Sequence, residues 1–298
     1  MATSSPSSEH VTIDPRTTMG TVRLTVSDVD RSRLFYERAL GLRAKDGDDG
    51  TIAMHADAGP ALVELHGDSS APRRDPRNTG LFHLAVLVPS RLDLAVALAR
   101  LASTRWPLDG ASDHLVSEAL YLSDPDGNGI EIYRDRPRDE WRRSDGELEM
   151  ATLPLDLQGL ARELSSLAEP QTKAPPGTRI GHTHLQVSEL DEIEAFYVGV
   201  LGFDVIVRHY PGALFVSAGG YHHHIGLNTW HSRGSGPAPP SSVGLRSFEV
   251  RLADKPALDA VLGRIAAAGI TTEVRADRGT HIVRDPSGNA VELSAAYS

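Results

Sequence analysis

The chain has 298 residues, enough for two ordinary domains, and its 40% hydrophobic and 23% charged residues are the balance of a water-soluble globular protein. A net charge of −10 without a basic block argues against nucleic acid and anionic membranes as partners, and no apolar run reaches the length of a membrane span. The absence of cysteine excludes disulfides and thiolate metal sites, so any metal must be held by His, Asp or Glu, and a cytoplasmic location is expected.

The chain opens on MATSSPSSEH, polar and Ser-rich, so residues 1–17 are expected to be a flexible tail. TVRLTVSDVDRSRLFYERALGL (21–42) reads as an alternating strand, a turn and a helix that carries Phe-Tyr and ends at Leu-Gly. GLFHLAVLVPSRLDLAVALARL (80–101) is again strand then helix, and its module closes on SDPDGNGIEIY (123–133), a turn feeding a final strand. A Pro-, Arg- and Glu-rich stretch follows, read as a linker over 138–178 with one amphipathic segment, Leu155 to Leu167. Then the pattern recurs. HTHLQVSELDEIEAFYVGVLGF (182–203) aligns without a gap on 21–42, GLRSFEVRLADKPALDAVLGRI (244–265) pairs with 80–101, and RDPSGNAVELS (284–294) pairs with 123–133. The chain is therefore four βαβββ-like modules. Within the third lies GGYHHHIGLNTW (219–230), three consecutive histidines ahead of a hydrophobic run. Imidazole is costly to bury unless it is hydrogen-bonded, bound to metal or engaged in proton chemistry.

The strand–turn–helix with FY…LG and the closing DP-x-GN-x-x-E resemble the vicinal oxygen chelate superfamily of glyoxalases, bleomycin-resistance proteins and extradiol dioxygenases. That resemblance implies an α+β fold in which paired modules form two cupped mixed sheets, with domains at 18–137 and 179–298. It also implies metal ligands on the first and last strands of a module. The first-strand positions are Thr21, His83, His182 and Ser247, and the last-strand positions are Glu64, Glu131, Gly226 and Glu292. Pairing modules two and three offers His83, Glu131 and His182, with glycine at the fourth position. Two histidines and one carboxylate are the facial set of non-haem Fe(II) oxygenases, and Mn(II) accepts the same ligands. Modules one and four offer Thr21, Ser247, Glu64 and Glu292, which look unable to hold a metal.

Within the superfamily the chain is most similar to the catechol 2,3-dioxygenases. This implies an enzyme that takes a small aromatic diol and O2 and opens the ring to a 2-hydroxymuconic semialdehyde-type product. The resemblance assigns Tyr121 to diol contact, aligns Asp113 and His114 with an upstream DH pair, and maps the acid–base histidine to His223. Strand alternation points the other way, placing His222 and His224 on the ligand face with Gly226 and His223 behind it. Either way the triplet is read as pocket wall and proton carriers. His184, on the same face as His182, and Trp230 are expected to line the pocket. A homo-oligomer is compatible with this reading. Two alternatives stand beside it: a glyoxalase-like metal-dependent isomerase or transferase, and a metal-free binding protein of bleomycin-resistance type.

Overall fold

A computed structural model describes residues 12–296 except 48 and 145. Module one runs β1 (Thr18–Val26), α1 (Val29–Arg38), β2 (Arg43–Asp46), β3 (Ile52–His55) and β4 (Val63–Gly67). Module two runs β5 (Gly80–Leu87), α2 (Arg91–Thr104), β6 (Gly110–Asp113), β7 (Ser117–Ser123) and β8 (Gly129–Asp135). The connecting stretch holds β9 (Arg143–Ser144), β10 (Glu147–Leu148), β11 (Leu153–Pro154) and α3 (Leu157–Arg162), the last being the expected amphipathic segment. Module three runs β12 (Arg179–Gln186), α4 (Leu190–Glu194), β13 (Asp204–Val207), β14 (Ala213–Ser217) and β15 (Ile225–Asn228). Module four runs β16 (Gly244–Leu252), α5 (Lys255–Ala267), β17 (Glu273–Arg275), β18 (Thr280–Arg284) and β19 (Ala290–Ala295). The helices α1, α2 and α5 begin where Asp28, Ser90 and Asp254 accept a backbone N–H three residues on, satisfying a donor that the helix itself leaves open.

The strands form two mixed sheets. One has the order β17-β18-β19-β16-β1-β4-β3-β2 and combines modules one and four; the other has the order β11-β6-β7-β8-β5-β12-β15-β14-β13 and combines modules two and three. In every module the first and last strands lie parallel and adjacent, as β1/β4, β5/β8, β12/β15 and β16/β19. Modules then join antiparallel through their first strands, β1 to β16 and β5 to β12. The ligand positions implied by the resemblance therefore collect at the centre of each sheet.

Modules adjacent in sequence enter different sheets, and the two signature motifs tie them together. The Tyr36 hydroxyl of module one donates to Asp124 of module two at 3.3 Å, and Tyr197 of module three donates to Asp285 of module four at 3.0 Å. Each aspartate also accepts from its own DP-x-GN turn: Asp124 from the Asp126 and Asn128 N–H groups and the Asn128 amide, Asp285 from the Ser287 and Asn289 N–H groups and the Asn289 amide. A buried carboxylate needs such a complement of donors.

Two expectations about the chain's flanking segments change. The tail expected over 1–17 lies outside the described residues up to residue 11, but residues 12–17 pack: Ile13 is buried, and its N–H donates to the Gly202 carbonyl at 2.7 Å. The stretch read as a linker contributes Leu148, Trp141 and Met150 to a cluster with Val207, Ala213 and Phe215, so it is a wall of the second sheet. No described helix is long and apolar enough to cross a membrane.

Tyr197→Phe removes one hydrogen bond to a buried carboxylate and should cost about 1–3 kcal/mol. Asp285→Ala strands several buried donors and should cost more, seen as a larger fall in the thermal midpoint. Equal midpoints for both variants and the parent would contradict this account of the motifs.

Candidate metal centre

The register of the second sheet builds the site on two neighbouring rungs. On one, Tyr121 of β7 stands opposite Glu131 of β8, Glu131 opposite Ala85 of β5, and Ala85 opposite His182 of β12. On the next, His83 stands opposite His184, His184 opposite Gly226, and Gly226 opposite Phe215. His83 and His182 thus reach Glu131 from either side, across the small side chain of Ala85. Both imidazole Nε2 atoms lie 3.0 Å from the same Glu131 oxygen, and the donor atoms of the three residues all lie within 4.8 Å of one another.

All three side chains are buried. The His83 Nε2 has no hydrogen bond of acceptable angle, and the His182 Nδ1 has no partner. Two ring nitrogens crowded on one carboxylate oxygen form a poor hydrogen-bond network but a suitable N, N, O donor set for a shared divalent cation, so the residues fit such a metal. Burial pushes the His182 imidazole down to about 4, which favours the neutral ring that a metal ligand must be. Glu131 is held well below the usual carboxylate range: burial works to raise it, and the two histidines outweigh burial.

Gly226, at the fourth ligand position, has a physical reason. A Cβ there would lie 2.9 Å from the His184 Cγ, so the His184 ring occupies the space a fourth ligand would need. The Asn228 amide donates to His184 Nε2 at 3.0 Å and fixes that ring.

A cavity of about 250 Å³ opens over His83 and Glu131. Its wall includes Tyr121, His114, His184, His223 and Trp230 among the residues expected there, and Trp230 is half-exposed at the mouth. His182 lies behind the cavity wall, against the His223 ring with centroids 4.0 Å apart and the planes tilted by 49°. The His114 Nδ1–H donates to the Ala151 carbonyl at 2.7 Å, so its Nε2 accepts from the Tyr121 hydroxyl, also at 2.7 Å. Asp113, by contrast, is held by Arg136 at 2.6 Å and does not line the cavity. Phe82, Ser112, Met150, Thr152, Tyr210 and Phe215 also line it and were not singled out from sequence. Phe215 could have been found by register across the hairpin from Gly226. Met150 and Thr152 carry no periodic signal.

The histidine triplet divides. It precedes β15, in irregular backbone where strand alternation does not operate, and His223 is the member that faces the cavity. The expectation that His222 and His224 also wall this pocket is corrected: neither lines it, and their rings turn toward Asp135 and toward Ser217. His224 Nδ1 accepts from the Ala218 N–H at 3.1 Å, and its ring lines a separate cavity with Tyr221 and Arg179. His222 Nε2 lies 2.9 Å from Asp135, and His222 Nδ1 lies 2.7 Å from His223 Nδ1. A neutral His222 that donates its Nε2–H to Asp135 accepts at Nδ1 from the His223 Nδ1–H. That leaves the His223 Nε2 lone pair unused within the chain. Burial pushes the His223 imidazole well down, so the ring is neutral.

The first sheet carries the duplicate cup. Ser247 donates to Glu292 at 2.6 Å, Arg23 sits on Glu292 at 2.6 Å, and Arg278 binds Glu64 with both terminal nitrogens at 2.7 and 2.9 Å. Burial works to raise the Glu64 carboxyl, but bonds from His66 and Arg278 and the charge on Arg23 hold it down to about 2. Guanidinium groups already neutralise both carboxylates, so this cup lacks the means to hold a metal.

Comparison with known proteins agrees with this architecture. The family model for the Glyoxalase/Bleomycin resistance protein/Dioxygenase superfamily matches residues 18–132 and again 179–293. The chain is 45% identical over 278 residues to the catechol-2,3-dioxygenase of Bacillus subtilis (strain 168), covering 92% of this chain and 95% of that protein. Among solved structures, a protein of Bacillus subtilis subsp. subtilis str. 168 aligns with a TM-score of 0.63 at 17% identity, over 93% of this chain and 85% of the other. Glyoxalase I from Zea mays aligns with a TM-score of 0.56 at 16% identity, over 93% and 92%. These two structures speak for the fold alone. The double family match and the paired modules together establish that the chain belongs to the Glyoxalase/Bleomycin resistance protein/Dioxygenase superfamily, as an enzyme of the catechol-2,3-dioxygenase-like kind.

Proposed function

We propose that this protein is an Fe(II)-dependent extradiol dioxygenase that inserts O2 into catechol or a substituted catechol, giving a 2-hydroxymuconic semialdehyde-type product. The observation that carries this reading is the convergence of His83, Glu131 and His182 beneath an aromatic-walled cavity, with His184 in the way of a fourth ligand. The 45% identity to a catechol-2,3-dioxygenase supports the same substrate class. His83, Glu131 and His182 would hold the iron, which would supply Lewis acidity toward the diol oxygens and redox chemistry toward O2.

The chain's own groups orient the ring and move its protons. Phe82, His184, Phe215 and Trp230 present aromatic faces and edges to a flat ring and exclude water. Tyr121, its proton committed to His114, offers oxygen lone pairs toward a diol hydroxyl. His223 Nε2 accepts a proton from the diol as it binds and returns it later, and the His222–Asp135 chain holds the ring in the tautomer that allows this. His224, bonded away from the cavity, serves the fold of the turn.

Anaerobic loading with Fe(II), followed by catechol and air, should give a yellow ring-fission product; a fully iron-loaded protein that leaves catechol intact would refute the assignment. Metal analysis should find one ion per chain, lost in His182→Ala. His223→Phe should keep the metal yet lower ring cleavage by roughly 10²–10⁴-fold, the usual worth of a positioned acid–base group. His224→Phe should change turnover far less, and the reverse order would assign the proton carrier to the wrong histidine.

A further inference from the structure

We infer that the metal-free cup of modules one and four is a second ligand site, built for an organic carboxylate. The two cups descend from the same repeat, but their electrostatics are opposite. In the metal centre the Glu131 carboxylate meets two imidazoles and no guanidinium. In the duplicate, Glu64 and Glu292 are already matched by Arg278 and Arg23, so the cup's need for a cation is met from within the chain.

Further cations face the same space. The cavity measures about 720 Å³, within the range of small-molecule sites, and Arg74, Arg246, Arg275 and Arg284 line it. None of these four makes an ion pair among the described residues. Arg74 donates only to neutral oxygens, the Asn78 and Leu81 carbonyls at 3.3 and 2.9 Å and the Gln186 side chain at 3.4 Å. Arg246 reaches Thr25 at 3.3 Å, and Arg284 reaches the Gly288 carbonyl at 3.2 Å. Against them the wall holds one carboxylate beyond Glu64, that of Glu273. Arg74 is half-buried, and Gly80 leaves room for it: a Cβ there would fall 2.9 Å from its Nη1. A partly desolvated guanidinium without a counter-ion favours an anion beside it, and the planar fork suits a carboxylate held by two bonds.

The remaining wall says what the anion is attached to. Pro237, Pro239, Pro240, Val243, Leu245 and Ile282 are the cavity's apolar lining. The first four belong to the segment between modules three and four, which is fastened to the segment between modules one and two by the Val243 N–H to Pro72 carbonyl bond at 3.0 Å. A carboxylate on a compact apolar or aromatic body satisfies both the arginines and this wall. Inorganic phosphate satisfies only the former.

The test is calorimetric titration of the full chain with benzoate, and separately with inorganic phosphate. One saturable benzoate site per chain is expected, with phosphate at least tenfold weaker. Arg246 and Arg284 are exposed, so charge reversal there spares the fold. R246E and R284E should each weaken benzoate roughly tenfold to a hundredfold, the worth of a charge-assisted hydrogen bond. Arg246→Lys, which keeps the charge but loses the fork, should bind between the parent and R246E, and His223→Phe, in the other cavity, should leave benzoate binding unchanged. The inference is overturned if benzoate shows no saturable binding at millimolar concentration or if both charge reversals bind it like the parent. It is equally overturned if His223→Phe abolishes the binding, which would place benzoate in the other cavity, or if phosphate binds as tightly, which would reduce the cup to a general basic patch.

Discussion

The Glu131 carboxylate is the constraint around which the second sheet is arranged. It is 3% exposed, and an isolated carboxylate at that depth costs several kcal/mol unless positive charge or hydrogen-bond donors meet it. The two groups that meet it, His83 and His182, come from different modules, so the antiparallel pairing of β5 with β12 is a condition of the site as well as of the fold. The residues between them follow from that condition. Ala85 keeps its rung low enough for the flanking side chains to converge, and Gly226 gives up its side chain to the His184 ring. A bulkier residue at either place would separate groups that are useful only together.

Duplication sets the frame, and divergence gives its halves different electrostatic roles. The same strand positions carry His83 and His182 in one cup and Thr21 and Ser247 in the other, while carboxylates survive at Glu131, Glu64 and Glu292. A carboxylate that loses its metal still needs a cation. Arg23 and Arg278 supply it as guanidinium groups, stiff and always charged. The cross-module bonds from Tyr36 to Asp124 and from Tyr197 to Asp285 lock the two sheets into one unit, so a change in one cup is borne by a scaffold that the other shares.

Irregular backbone supplies what the strands cannot. His222, His223 and His224 sit ahead of β15, and there three neighbouring imidazoles can point in different directions: toward Asp135, into the cavity, and toward Ser217. A regular strand allows only two directions. The stretch between the two halves acts similarly, since the Ala151 carbonyl fixes the tautomer of His114 and thereby the proton of Tyr121.

The repeat was legible in the sequence because strand alternation, Phe-Tyr helices and DP-x-GN turns recur at matching positions, each resting on a local rule of period or turn chemistry. The donors His83, Glu131 and His182 were named through the superfamily resemblance, which assigns ligands to the first and last strands of a module. Their convergence was not local. It depends on which first strands pair, and on a register that puts Glu131, Ala85 and His182 on one rung. Alternation misjudged the histidine triplet because it describes extended chain, and those residues lie outside the strand. The arginines of the second cup come from segments as far apart as β1 and β18, so no window of sequence brings them together. Sequence alone determined the modules and the kinds of donor they carry. Tertiary structure decided which donors meet, which cup remains negative enough for a cation, and which histidine faces the ring, because each of these is set by contacts between segments far apart in the chain.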